Sequence, residues 1–268
     1  MTKVSYKPLV VLGVCGMLLA GCSSDSDSEP MESSAQMEES QSSEAASSMS
    51  SESDAESSSN QEESSDTSKE ESESPESEVR SELEMDPAVV FLPTYMPENS
   101  HANIVTNNEN EYTVAYTDEQ GNDLAAVSGT IYTDADTALA EMEAEMNGAV
   151  SVTPNEETAV DLGYNITGYG EGAAGNQYFS WEEGNWDFTI HTLSVDEMDA
   201  PGIAKKIVAY LEENSLPAPS EKGMILIDYP QGGETVSVDI MWQKENRVYE
   251  LSTSQVPLDA LEMVVSME

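Results

Sequence analysis

An α+β fold, built of repeated strand-strand-strand-helix units that form an antiparallel sheet with helices on one face, is predicted for residues 88–268 by three observations. First, the chain repeats itself. Aligning Trp181 on Trp242 sets Phe179 opposite Ile240, Asn185 opposite Asn246, Phe188 opposite Tyr249 and Ile190 opposite Leu251. Second, these runs alternate apolar and polar residues, which is the period of a strand with one buried face. Third, each copy runs into a segment whose apolar residues recur at helical spacing.

The folded part opens at Val89, Val90 and Phe91, and the prolines of Leu92-Pro93-Thr94-Tyr95-Met96-Pro97 predict an extended, non-helical start. A weaker first copy covers about residues 102–148. Tyr112, Val114 and Tyr116 alternate, Gly121-Asn122 turns the chain, and residues 123–132 return as a strand. A helix then starts near Thr133 to Asp136, buries Leu139, Met142 and Met146, and stops at Asn147-Gly148.

The second copy covers about residues 163–214. Phe179 and Trp181 point one way, Ser180 and Glu182 the other, and Glu182-Glu183-Gly184-Asn185 reads as a tight hairpin. Its helix has Asp199 as cap, Pro201 in the first turn, and Ile203, Ile207, Val208 and Leu211 as the apolar stripe. The third copy, about residues 223–268, places Val238, Ile240 and Trp242 on one face and ends in a helix opened by Pro257 and striped by Leu258, Leu261, Val264 and Val265. Gly163 to Tyr169 parallels Gly223 to Tyr229, which gives both copies a preceding strand.

Ahead of this domain, residues 22–87 are almost entirely Ser, Glu, Asp, Gln, Ala and Met, with Lys69 and Arg80 as the only cations. Such a composition cannot bury enough surface to offset its ordering entropy, so a disordered, charge-swollen tether of about 45 Å or more is expected. A solvated spacer is the simplest reading; capture of cations or of a basic partner, or glycosylation of Ser and Thr, fits the same composition.

At the start of the chain, Lys3 and Lys7 precede an apolar run from Leu9 to Leu19, too short for the roughly 20 residues of a membrane-crossing helix. It is followed by Leu19-Ala20-Gly21-Cys22, which resembles the lipobox of bacterial lipoproteins. That resemblance implies residues 1–21 as a signal peptide cleaved between Gly21 and Cys22, and diacylglyceryl transfer to the Cys22 thiol. The two acyl chains anchor the protein stably at the extracytoplasmic face of the cell membrane, each buried methylene contributing about 0.8 kcal/mol. Cys15 is lost with the signal, so the mature chain keeps no free thiol for disulfides, thiolate catalysis or cysteine metal sites. Leu92-Pro93-Thr94-Tyr95-Met96-Pro97, the two Trp hairpins and the ending Val264-Val265-Ser266 resemble uncharacterised Gram-positive cell-envelope lipoproteins, and the strand-strand-helix unit is similar to small extracytoplasmic domains appended to membrane-bound regulators. The resemblance implies architecture and location and brings over no catalytic residue.

Candidate chemistry is sparse. Gly170-Glu171-Gly172-Ala173-Ala174-Gly175 has the spacing of a dinucleotide-binding loop, but a strand is expected after it where that chemistry needs a helix, so a hairpin loop is the reading. Asp134 and Asp136 hint at a calcium loop, lack its glycine, and are read as helix capping. His101 and His191 are the only histidines; His191 falls on the polar side of its strand and is expected to be exposed. Trp181 and Trp242 are expected in the core, with Trp186 the one indole free to stack on a sugar. Glu182 and Asp187 could be proposed as a carboxylate pair of the type hydrolases use, but acids are so abundant in this chain that any such pair is uninformative.

Charge excludes one class of partner. The formal net charge is −44, with Lys205, Lys206, Lys222, Lys244 and Arg247 the only cations of the folded part, and such a surface repels phosphate backbones. The sequence therefore points to a membrane-anchored, non-catalytic binding or sensing module of the cell envelope, without cofactor or metal, whose partners are the membrane through the lipid on Cys22 and an envelope protein or the cell wall, and not nucleic acid. A solute-binding or transport-associated lipoprotein is the alternative, and a Ser- or carboxylate-based hydrolase stands behind both.

Overall fold

In the computed structural model, residues 75–97, 99–146 and 154–267 are described. The expected signal peptide with Gly21 and Cys22, the acidic tract up to residue 74 and the expected helix stop at Asn147-Gly148 lie outside them.

Three meanders make one ten-stranded sheet. The first is β1 (His101–Asn108), β2 (Glu111–Thr117) and β3 (Asp123–Ile131), followed by helix α2 (Ala135–Glu145); α1 (Pro75–Glu82) precedes it. The second is β4 (Ala159–Gly163), β5 (Ile166–Ala173), β6 (Asn176–Glu183) and β7 (Trp186–Leu193), followed by α3 (Ala200–Leu211). The third is β8 (Gly223–Asp228), β9 (Ser237–Lys244) and β10 (Arg247–Thr253), followed by α4 (Pro257–Val265). The strand order is β1-β2-β3-β10-β9-β8-β7-β6-β5-β4. At least three strands precede each of α2, α3 and α4, and β4 is an edge strand that the sequence pattern did not suggest.

Hairpins make the sheet largely antiparallel, but β7 and β8 run parallel, pairing Trp186 with Gly223 and Ile190 with Ile227. The expectation of a wholly antiparallel sheet is corrected at that seam. Helix α3 forms the crossover that carries the chain from the end of β7 back to the start of β8, and strands joined in this way point in the same direction.

Alternation along each strand separates two faces. On the apolar face, Val238, Ile240 and Trp242 of β9, Ile225 and Ile227 of β8, and Phe188 and Ile190 of β7 are buried against Ile207 and Val208 of α3 and Leu261 and Val264 of α4. The repeat is expressed here as two equivalent cross-strand aromatic pairs. Trp181 stacks on Phe188 at 4.6 Å, and Trp242 stacks on Tyr249 at 5.3 Å. Such pairs contribute about 0.5–1.5 kcal/mol beyond the area they bury.

The gathering of helices on one face holds for α3 and α4, while α2 packs on the other. Its Ala138, Met142 and Met146 meet Met224, Met241 and Val248, which project from β8, β9 and β10 in the opposite sense to their buried neighbours Ile225, Ile240 and Tyr249. The α4 stripe is also rotated from the expected one. Pro257, Ala260, Leu261 and Val264 form the buried i, i+3, i+4, i+7 set, and Leu258 is exposed.

The fold reaches further toward the N-terminus than the expected boundary at residue 88. Leu83 and Met85 are buried in the main core, and Arg80 Nη1 donates to the Val90 carbonyl at 2.6 Å. The tether prediction weighed composition over a long window and missed two apolar residues at its end. Tyrosines hold the next segment: Tyr249 Oη donates to the Val89 carbonyl at 2.8 Å, and Tyr112 Oη donates to the Phe91 carbonyl at 2.8 Å while accepting from the Phe91 N–H at 3.1 Å. Val90 and Leu92 are thereby set into the core. A short 3-10 turn at Pro87–Val89 comes first, and the chain is extended from Val90, as the prolines suggest.

Candidate functional site

Strands β5 to β7 turn polar alternate residues toward the α2 side of the sheet, where with Met224 of β8 they line a cavity of about 600 Å³. Its floor carries Thr167 and Tyr169 from β5, Ser180 and Glu182 from β6, and Asp187 and Thr189 from β7. Lys222, just before β8, closes one side, while Met146, Pro154 and Met224 give an apolar wall. Register explains the assembly: Ser180 is paired with both Tyr169 and Thr189, and Glu182 with Asp187, so side chains far apart in sequence fall on one patch.

Lys222 is the electrostatic centre of this patch. Its Nζ lies 2.9 Å from Asp187 Oδ2 and 3.7 Å from Glu143 Oε1 of α2. The hydrogen bond with Asp187 raises the ammonium above the ordinary lysine value, and Glu143 adds to the effect, so the charge is held at neutral pH. Three carboxylates, Glu143, Glu182 and Asp187, stand against this one cation. The lining therefore opposes anionic ligands and is rich in groups that both donate and accept hydrogen bonds.

The sequence named Glu182 and Asp187, and the hairpin sets them directly opposite each other on the cavity floor. It did not single out Lys222, Tyr169, Ser180 or Thr189 for the site. The signal available was the polar half of the alternation, which was used only to define the buried half.

His191 corrects an expectation. It is not a free surface imidazole: its side chain is 20% exposed, Nδ1 lies 2.5 Å from Asp228 Oδ1, Nε2 lies 3.0 Å from Asn176 Oδ1, and the ring stacks on Tyr178 at 4.7 Å. The parallel seam brings Asp228 beside it, because β7 and β8 pair His191 with Asp228. His101, at the start of β1, is exposed.

Trp186 is also corrected. It is 6% exposed, 6.3 Å from Trp242, and packed so closely over Gly223 that an added Cβ there would come within 2.4 Å of its ring. All three indoles are therefore buried in the core, and Trp181 also contributes to the cavity lining.

The other motifs behave as their spacing suggests. Gly170 to Ala173 end β5, Ala174 and Gly175 make the turn with positive φ, and β6 begins at Asn176, so the glycine pattern opens no helix. Asp134 caps α2 by accepting from the Thr137 N–H at 2.8 Å, and that bond holds its carboxyl below the ordinary aspartate range. Asp199 caps α3 in the same way on the Gly202 N–H at 2.9 Å. Among the described residues no group of three or more His, Cys, Asp or Glu side chains is disposed to hold a metal ion, and no helix is long and apolar enough to cross a membrane.

No known protein-family model matches this chain, and no curated protein matches it.

Proposed function

We propose that this chain is a lipid-anchored lipoprotein of the cell envelope whose folded part is a non-catalytic module that binds or senses a small ligand outside the membrane. The observation that carries the binding half is the cavity of about 600 Å³ on the polar face of β5 to β8, inside the range of roughly 300–1,000 Å³ usual for small-molecule sites. The anchoring half rests on Leu19-Ala20-Gly21-Cys22. Catalysis is not part of the reading because Asp187, one of the carboxylates at the cavity, is engaged by Lys222. His191 and Asp228 make a base-and-carboxylate pair, but the ring nitrogens are taken up by Asp228 and Asn176.

Expression of the full chain in a bacterium with lipoprotein processing tests the anchor. The mature protein is expected in the membrane fraction with acylated Cys22 as its first residue, and Cys22→Ala is expected in the soluble fraction. An unacylated amino terminus elsewhere in the chain rejects the anchor. Thermal-shift screening of the same protein against sugars, peptides and divalent cations tests the module, since a ligand that binds only the folded state raises the melting temperature.

A further inference from the structure

We propose that the methionine cluster beneath α2 is a binding site for a soft monovalent cation, cuprous copper, held by thioether sulfur; the inference stands apart from the ligand of the cavity and does not depend on it. One helix and two strands supply the sulfurs. Met142 lies on α2 and Met146 caps its C-terminal end one turn further on, the Met146 N–H donating to the Met142 carbonyl at 3.0 Å. Met224 and Met241 are paired directly across β8 and β9. All four pack together with Ala138 and Val248. They are four of the six buried residues of this cluster, whereas Met85, Met263 and Met267 are three of the thirty-two in the main core. A need for flexible filler would spread methionine through both cores; concentration at one helix-sheet contact gathers a single kind of donor atom instead.

The donor set decides the occupant. Thioether sulfur is soft and uncharged and selects cuprous copper, whereas calcium and magnesium take oxygen ligands. A monovalent ion also brings the least charge into a cluster that has no anion of its own. That charge is met from just outside. Glu141 and Glu145 adjoin Met142 and Met146 in the chain, and burial, with repulsion from Glu250 and Glu141, raises the Glu145 carboxyl above the ordinary glutamate range, so the potential beside the cluster is negative. Access comes through the cavity. Met146 and Met224 belong both to the cluster and to the cavity wall, where Glu143, Glu182 and Asp187 outnumber Lys222 and draw cations inward.

The test is anaerobic titration with cuprous ion, in competition with the chromophoric chelator bicinchoninate, of the full chain carrying Cys15→Ser and Cys22→Ser so that no thiol contributes. A single equivalent is expected to bind, and excess calcium or magnesium is not expected to displace it. Leucine in place of methionine keeps the volume and removes the sulfur. Met142→Leu is therefore expected to weaken binding by at least about tenfold, the least that losing even a supporting group of a metal site costs. Its melting temperature should stay within a few degrees of the parent, a combination that a packing role alone does not produce. Met146→Leu, at the cavity wall, is expected to weaken binding to the same degree and carries the test if Met142→Leu disturbs the fold. Affinity unchanged in the folded variants places the ion on sulfur or carboxylate elsewhere in the chain and overturns the inference, as does failure of the parent to take copper from the chelator.

Discussion

The two faces of the sheet differ in what their side chains are asked to do. On the apolar face, buried residues from eight of the ten strands, β2 to β4 and β6 to β10, join one continuous core with α3 and α4. On the other face a single helix covers only a small cluster at β8 to β10. Beside α2, Ser252 Oγ donates to Asp239 Oδ1 at 2.6 Å and Ser128 Oγ donates to Glu250 Oε2 at 3.3 Å, so acids there are bound into a surface network. Further along, the same face holds the cavity and the His191 cluster. The difference teaches that the main core is built on one side of the sheet, which leaves the other side for the recognition proposed above: alternation lets one strand serve both.

The largest expected effect follows from breaking the apolar side. Trp242 is fully buried and touches Phe91, Trp186 and Tyr249 within one aromatic cluster. Trp242→Ala is expected to lower stability by about 3–5 kcal/mol in chemical denaturation, because the cavity it leaves is walled by rigid rings from β7, β10 and the leading segment. A loss below about 1 kcal/mol would contradict the division of labour drawn here.

Met142→Ala on α2 removes an equally buried side chain from the other face. Its loss is expected near 2 kcal/mol, the low end for such truncations, since the surrounding Met146, Met224 and Met241 are flexible enough to fill the gap. Equal losses from the two substitutions, measured under the same conditions, would show that α2 is as integral to the core as α3 and α4.

The smallest effect concerns a charge on the apolar side. Glu183, at the end of β6, is partly buried, and desolvation followed by repulsion from Glu212 raises its carboxyl above the ordinary glutamate range. In the window between the ordinary value and the raised one, the folded state holds more proton than the unfolded chain, so stability falls as pH rises. Glu183→Gln is therefore expected to raise the melting temperature by a degree or two at neutral pH and to flatten its fall between mildly acidic and neutral solution. An unchanged pH profile would show that Glu183 does not sense the apolar side.

Much of the fold was legible before its coordinates. The period-two alternation set Phe179 and Trp181 on the opposite face from Ser180, and the capping residues Asp134 and Asp199 marked where helices begin, because these signals depend only on neighbours in the chain. The hairpin at Gly184 was readable for the same reason. Its counterpart carries Glu245, which adopts φ of 56° beside the 61° of Gly184, so the repeat keeps the turn even where the permissive residue is gone. The site was half legible. Glu182 and Asp187 stood in a sequence crowded with acids, and nothing local distinguished them from the rest.

By itself the sequence determined the strand faces, the helix starts and the acidic character that turns away anions, since each is a property of short segments or of composition. Only the tertiary structure decided that β7 and β8 lie parallel, that α2 takes the opposite face, and that Lys222 and Asp228 arrive beside Asp187 and His191. Those contacts join residues more than thirty positions apart. Which of many like-charged or like-sized partners meets across such a distance is set by the packing of whole meanders and not by any stretch short enough to carry a motif.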